Sequence, residues 1–372
     1  MRVLLQVNGD RDEAGGVQTL VRGLADHLLD AGHAVTCSWA HGSAGDGIDG
    51  AHRIDRLHVR APPGRAGRAL HLPSLMNALR LLAQVRPHVV NIHYASANAL
   101  YFVLLRPLFG YRLVITCHGS DLFEPLRHDR EYLARLLRAA DEVTGVSRAL
   151  TEVMPGLVSE TIRPRYLPNG VDTSYWSPTK RCGVGERREE RPLLFAAVGR
   201  LEVVKGFDLL IEAFAQVIAQ EPRARLVILG EGSQRVALEA RIASHGIGAE
   251  VALPGARPQE AVRDLLRQAD LFVLPSRSEG MPLSLLEAMA CGLPCIASDV
   301  GGVARTGGDA IHLVPPEDVP ELARSMAELA KDAGRRERIG ADALGQARRH
   351  SSSAALARYE RLLRGVVAGR HP

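Results

Sequence analysis

Two carboxylates at a loop-to-helix junction are the first residues whose type and spacing suggest chemistry. Glu279 and Glu287 lie eight positions apart in SRSEGMPLSLLE (276–287), separated by Gly280, Met281, Pro282, Leu283, Ser284 and two more leucines. Pro282 suits the first turn of a helix, where a missing N–H costs no hydrogen bond. The unpaired N–H groups of Leu283 and Ser284 would then make an anion site at the positive end of the helix dipole. Glu279 would lie in the loop and Glu287 one turn inside the helix. Both could face one ligand, one reaching sugar hydroxyls and the other a ribose diol. On spacing alone, an exposed loop acid and a dipole-stabilised helix acid account for the same residues. Upstream, Gly199, Arg200 and Leu201 precede Lys205 and Gly206. Two cations beside a glycine that admits close backbone approach suit an anion such as a diphosphate, against a solvated loop with two surface cations.

Other clusters are weighed in the same way. Gly15 and Gly16 could let a backbone approach a phosphate or sugar, or could simply be a strand-to-helix loop. His118, Gly119, Ser120 and Asp121 offer a hydrogen-bonding or basic imidazole, with Asp121 as its support or as a contact on the acceptor side. Gly230, Glu231 and Gly232 resemble a piece of a dinucleotide fingerprint, but Arg235 stands where the third glycine belongs, which disfavours a nicotinamide enzyme. Asp10, Arg11 and Asp12 read as a solvated turn and not as a metal chelate. Cys291 and Cys295 have no nearby histidine and read as structural thiols.

These residues need elements to position them, and the hydrophobic pattern supplies a set. Segments at Val3–Val7, Ala34–Cys37, Ile54–Val59, Val89–Ile92, Val114–Cys117 and Glu142–Val146 read as strands, and Ile162–Leu167 closes this half. Helical spacing at Val17–Leu29, Leu72–Val85 and Glu131–Ala140 alternates with them. The pattern resumes with strands at Leu193–Val198, Arg225–Leu229, Val251–Leu253, Leu271–Leu274 and Cys295–Ala297, and a helix at Phe207–Ile218. Such alternation implies parallel sheets covered by helices, with ligands beyond the carboxyl ends of the strands. The expected organisation is a domain over 1–175, a charged, Pro- and Gly-rich linker over 176–191, a second domain over 192–350, and a helical tail over 351–372 that returns to the first.

Composition bounds the rest. The chain has 372 residues, enough for two domains, with 46% hydrophobic and 24% charged residues, which argues against disorder. A net charge of +4 and 4% aromatics do not fit a dedicated nucleic-acid binder. Five scattered cysteines without a CxxC pair fit a reducing cytoplasm, and the first residues read as a strand and not as a leader peptide. No apolar run approaches the roughly 18 residues of a membrane span; the longest, Ala95–Leu105, is helix-sized. Between Arg53 and Arg86 lie seven arginines and one acid, Asp55. The plain reading is a solvated face; the sharper one is peripheral contact with an anionic membrane.

Taken together, the chain resembles the family 4, or group 1, retaining glycosyltransferases. The resemblance runs from Gly15 and Gly16 to the Pro315–Pro316 turn. It is densest in DLFVLPSRSEGMPLSLLEAMACGLPCIASDVGG (270–302), with support from GRLEVVKGFDLLIEAF (199–214) and LPNGVDTSYWSP (167–178). It implies an α/β fold of the GT-B type, two Rossmann-like domains with parallel sheets facing across a cleft. It implies transfer of a sugar from a nucleotide-sugar, UDP-linked first and GDP-mannose second, to a glycan, lipid-linked or small-molecule hydroxyl. Arg200 and Lys205 would neutralise the donor diphosphate in place of a metal, so no cofactor is expected. Glu287 would bind ribose. Glu279, with Gly280, Met281, Pro282, Leu283 and Ser284, would hold the donor sugar. His118 would contact the transferred sugar, Gly16 would approach the phosphate, and Asn169 would lie at the crossover between domains. The family often has a proline and an acid after the Gly301–Gly302 pair, where this chain has Val303, Ala304, Arg305 and Thr306. A nucleotide-sugar epimerase of similar shape and a catalytically silent binding protein are the competing readings.

Overall fold

The computed structural model describes residues 1–10, 15–41, 47–49, 52–56, 72–96, 98–123, 130–179 and 191–369. They divide into two compact units, one built from 1–169 together with 354–372 and the other from 170–353.

In the first unit the strands are β1 (Arg2–Asp10), β2 (Ala34–His41), β3 (Gly47–Asp49), β4 (His52–Arg56), β5 (Val89–His93), β6 (Arg112–Cys117), β7 (Glu142–Gly145) and β8 (Arg165–Tyr166). They form one sheet in the order β3-β4-β2-β1-β5-β6-β7-β8, parallel except for the β3–β4 pair at one edge. The continuous apolar runs become the central strands because both sheet faces are covered: Val3, Leu4, Leu5, Val7, Val89 and Val90 are wholly buried. The helices are α1 (Gly16–Asp30), α2 (Leu72–Val85), α3 (Ala99–Phe109), α4 (Ser120–Phe123), α5 (Arg130–Arg138) and α6 (Arg148–Leu157). Strand order reverses between β1 and β5, so the loops after them are neighbours at the carboxyl edge.

The second unit holds β9 (Leu194–Val198), α7 (Phe207–Ile218), β10 (Arg225–Leu229), α8 (Arg235–Ser244), β11 (Val251–Gly255), α9 (Gln259–Gln268), β12 (Leu271–Leu274), α10 (Leu283–Ala290), β13 (Cys295–Ser298), α11 (Val303–Gly307), β14 (His312–Val314), α12 (Val319–Lys331) and α13 (Ala333–Arg349). Its sheet is wholly parallel, in the order β11-β10-β9-β12-β13-β14, and reverses between β9 and β12. Phe195 of β9 meets Phe214 of α7 edge to face, with ring centroids 5.8 Å apart, in a core shared with Leu210, Leu271 and Met326.

The last helix, α14 (Ser352–Val367), lays Tyr359, Leu362, Leu363 and Val366 into the same apolar cluster as Val3, Leu24 and Leu28. Glu360 fixes its register by pairing with His27 Nε2 at 3.1 Å and His33 Nε2 at 3.3 Å.

Several boundaries differ from the sequence expectation, each for a local reason. The first unit ends at 169, not 175, because Val171 N–H donates to His350 O at 2.8 Å and Ser352 N–H donates to Val171 O at 3.0 Å. Trp176 is buried, and the Arg267 guanidinium holds the carbonyls of Tyr175 and Ser177, so the start of the expected linker belongs to the second unit; 180–190 lie outside the described residues. The helix-sized apolar run Ala95–Leu105 lies largely in a helix that begins at Ala99 and continues through Pro107 to Gly110, a left-handed stop at φ +69°. The run at Ile162–Leu167 contributes only two strand residues. The three-residue strands β3 and β14 carry no apolar period long enough to read. No helix among the described residues is long and apolar enough to cross a membrane.

Candidate functional site

In the second unit, the loops after β9 and β12 converge as the strand order requires. A 3₁₀ turn at Val203–Lys205 leads into Gly206, whose φ is +65°. A Cβ there would stand 2.0 Å from the Pro275 carbonyl oxygen, so only glycine lets the two loops touch. That contact delivers Lys205 to Glu279: Nζ donates to Oε1 at 2.6 Å, and Ser276 Oγ donates to the same oxygen at 2.7 Å. The Glu279 side chain is 7% exposed and that of Lys205 20%, a largely desolvated pair in which the charges satisfy each other. Glu279 Oε2 has no partner among the described residues. Beneath them Arg277 clamps the β9 loop, donating to both carboxylate oxygens of Asp208 at 2.8 and 2.7 Å and to the Val203 carbonyl at 2.7 Å.

The segment after Glu279 enters α10 directly. Gly280, Met281 and Pro282 are buried, and Leu283 and Ser284 are partly exposed. Pro282 is the N-cap and not the first helical residue, and the helix has no side-chain cap. Its first amides therefore remain available to an acceptor. Glu287, one turn in, is held by burial at a pKa of about 7, and its carboxylate has no partner among the described residues. Arg200 is exposed on the β9 loop. Its charge helps keep the neighbouring Glu202 ionised, after the larger effect of the Ser233 hydroxyl and amide on that carboxylate.

The remaining motifs of this unit are held by contacts with their neighbours. At Gly230 a Cβ would stand 1.8 Å from the Gly199 carbonyl, so the Gly230–Gly232 turn buttresses the β9 loop while Arg235 pairs with Glu231 and Glu239. The unusual stretch after Gly302 forms α11, with Val303 wholly buried and Thr306 Oγ1 donating to Gly302 O at 2.7 Å. Cys291 and Cys295 are buried free thiols, Cys291 pushed up to about 12 chiefly by burial. Among the described residues no group of His, Cys, Asp and Glu is placed to hold a metal ion.

In the first unit His118 follows β6, and the structure joins to it a partner absent from the sequence reading. His93, the last residue of β5, places Nδ1 3.1 Å from His118 Nε2. Tyr94, in the left-handed region at φ +73°, packs its ring 4.9 Å from that of His118. Of the two roles expected for Asp121, its contacts are those of a support for the His118 turn. It is 8% exposed, and its carboxylate accepts N–H bonds from His118 at 3.0 Å, Gly119 at 2.8 Å and Ala95 at 3.0 Å. Its work is to tie the loop after β6 to the loop after β5; burial raises its pKa against the pull of those amides. Gly15 is the extended N-cap of α1, with no side-chain cap, and Gly16 is its exposed first residue. Asn169 is buried, with Oδ1 unpartnered among the described residues. The DxD at 10–12 lies mostly outside the described residues.

Sequence reasoning missed three supports. Ser276 opens the segment 276–287, where nothing in its neighbours marks it as a carboxylate's partner. Arg277 and Asp208 are too far apart in sequence to suggest a clamp. His93 was findable, since it ends an apolar run as His118 follows one.

Two α/β units, each with polar groups at the carboxyl edge of its sheet where strand order reverses, have the architecture of the GT-B fold class. The family follows from direct comparison. Residues 184–345 match the model described as glycosyl transferases group 1, and residues 14–175 match glycosyltransferase family 4. The chain is 31% identical over 336 residues to a D-inositol 3-phosphate glycosyltransferase from Thermobispora bispora, covering 81% of this chain and 78% of that one. It is 27% identical over 369 residues to a GDP-mannose-dependent alpha-(1-6)-phosphatidylinositol monomannoside mannosyltransferase from Mycolicibacterium smegmatis, covering 94% and 93%. The crystal structure of Anabaena Alr3699/HepE in complex with UDP-glucose superposes with a TM-score of 0.77 over 98% of this chain and 99% of that one, at 18% identity. The chain belongs to the group 1, family 4 glycosyltransferases.

Proposed function

We propose that this glycosyltransferase takes its sugar from a nucleotide-sugar donor, transfers it with retention of configuration to a hydroxyl acceptor, and needs no metal. The observation that supports this reading is the desolvated Lys205–Glu279–Ser276 cluster, whose Ser276 and Glu279 lie in sequence just before the uncapped start of α10, with partner-free Glu287 one turn beyond. Breaking a sugar–phosphate bond leaves negative charge on the departing diphosphate, and stabilising that charge is the largest expected catalytic effect. Arg200, Lys205 and the first amides of α10 are the groups proposed to do so. Lys205 is prepositioned by Glu279, whose second oxygen is left for a sugar hydroxyl; Glu287 takes the ribose diol. No carboxylate is assigned as a covalent nucleophile, so attack occurs on the face the phosphate leaves, and the phosphate receives the acceptor's proton. His118 contacts the transferred sugar. UDP-sugars are the first choice of donor and GDP-mannose the second.

The test is a hydrolysis and binding screen of the purified protein against UDP-, GDP-, ADP- and dTDP-sugars. Arg200→Ala and Lys205→Ala are each expected to lower turnover roughly a hundredfold, the effect of losing one oxyanion donor. EDTA is expected to leave turnover unchanged. Full activity in both alanine variants, or strict dependence on a divalent ion, overturns the diphosphate assignment.

Peripheral contact with an anionic membrane accompanies this reading. What favours it is a set of exposed apolar side chains one turn apart on two helices: Leu72 and Met76 of α2 are 65% and 53% exposed, and Leu104 and Leu108 of α3 are 47% and 70% exposed. Arg60, Arg65 and Arg68 lie outside the described residues. Flotation with anionic liposomes is expected, and should be lost on charge reversal at those three arginines; binding that survives the reversal refutes the proposal.

A further inference from the structure

His93 is wholly buried at the end of β5, sandwiched between the His118 ring, 5.3 Å between centroids, and the Tyr359 ring of α14, 6.4 Å away. Its Nδ1 faces His118 Nε2 at 3.1 Å, while its Nε2 is sealed from solvent with no partner among the described residues. Burial lowers the pKa of His93 to about 3 and pushes that of His118 well below the ordinary imidazole value, so both rings are neutral. Each neutral ring carries one proton, and one hydrogen lies between the two facing nitrogens. Two arrangements satisfy this. If His118 donated, the proton of His93 would sit on Nε2, a buried N–H with nothing to accept it. If His93 donates from Nδ1, its Nε2 is a bare lone pair. An orphaned buried donor is the rarer and costlier of the two.

We infer that His93 is a positioning residue that fixes the tautomer of His118, so that His118 presents Nδ1–H as a hydrogen-bond donor and not as a base. His118 Nδ1 has no partner among the described residues, and the residue is only partly buried, so this proton is free to reach a ligand oxygen. Asp121 reinforces the geometry by fixing the backbone of the same turn. The inference rests on the reading that His118 meets the substrate, and it specifies what His118 offers there. A donor can hold a hydroxyl or phosphate oxygen throughout the reaction without removing a proton from it, which agrees with an acceptor proton that goes to the leaving phosphate.

The experiment measures the ring nitrogens of His118 by long-range ¹⁵N–¹H NMR of the full, ligand-free chain labelled at histidine, with His118→Asn to assign the signals. The expected result is a protonated Nδ1 and an unprotonated Nε2 on His118. His93→Leu removes the donor, and the Nε2–H form favoured by free imidazole should then appear. His93→Asn places an amide N–H near the former Nδ1 and should restore the Nδ1–H form. An Nε2–H form of His118 in the wild-type chain, or the same tautomer in wild type and His93→Leu, overturns the proposal. Should His93→Leu not fold, wild type and His93→Asn decide it. Because no substrate is present, an inactive donor screen would refute the proposed function without touching this result, and a wrong tautomer would refute this inference without touching transferase activity.

Discussion

At the scale of single residues, the two glutamates that looked alike in sequence occupy different electrostatic settings. Glu279 is neutralised by Lys205 and bonded by Ser276, whereas Glu287 lacks a partner and is pushed from 4.5 to about 7 by burial. Between those two values the folded chain keeps a proton the unfolded chain has lost. This carboxyl therefore favours folding in acid, and that advantage drains away as pH rises toward 7. Glu287→Gln should match wild-type stability near pH 4.5 and exceed it above pH 7 by on the order of 3 kcal/mol. Urea midpoints of both proteins at the two pH values check this, and an equal gap at both would contradict it. Such a cost is tolerated where a ligand supplies what the fold does not, which is consistent with the proposed contact of this carboxylate with the ribose diol.

At the scale of elements, Gly206 carries more than its size suggests. Gly246 has nearly the same backbone conformation, φ +68°, but a Cβ there meets nothing within 4 Å, whereas at Gly206 it would meet the Pro275 carbonyl at 2.0 Å. Gly246→Ala should cost about 1 kcal/mol from φ strain alone. Gly206→Ala should cost more and should also lower turnover, by shifting Lys205 from Glu279; thermal melts of both variants make the comparison. The sequence made much of this level legible. The apolar runs of β5, β6, β9 and β12 and the helical spacing of α2 and α7 are long and regular, because each must bury both faces or one full stripe. Arg200, Lys205, Glu279 and Glu287 sit beside those runs and were readable with them. What the sequence could not reveal were contacts made only by folding. Lys205 and Glu279 are 74 positions apart, His93 and His118 are 25 apart, and the burial that makes Asp121 a tie for three amides leaves no mark on its neighbours.

At the scale of the molecule, α14 is part of the first unit's core. Leu363 is wholly buried among residues of β1 and α1. Leu363→Ala should destabilise that unit by about 2–5 kcal/mol, as for other large-to-small core changes. A chain ending at 353 should expose the apolar faces of Val21, Leu24 and Leu28 and bind a hydrophobic dye that the full chain does not; absence of dye binding would show that α14 is dispensable.

The interleaving of 1–169 with 354–372 also dictates a timetable. As the polypeptide leaves the ribosome, the middle segment is the first to possess every strand and helix it requires. The opening segment, although made earlier, waits with β1 and α1 unroofed until α14 emerges. Synthesis thus creates an interval in which the older part of the chain is the less finished, and in which a chaperone has most reason to hold it.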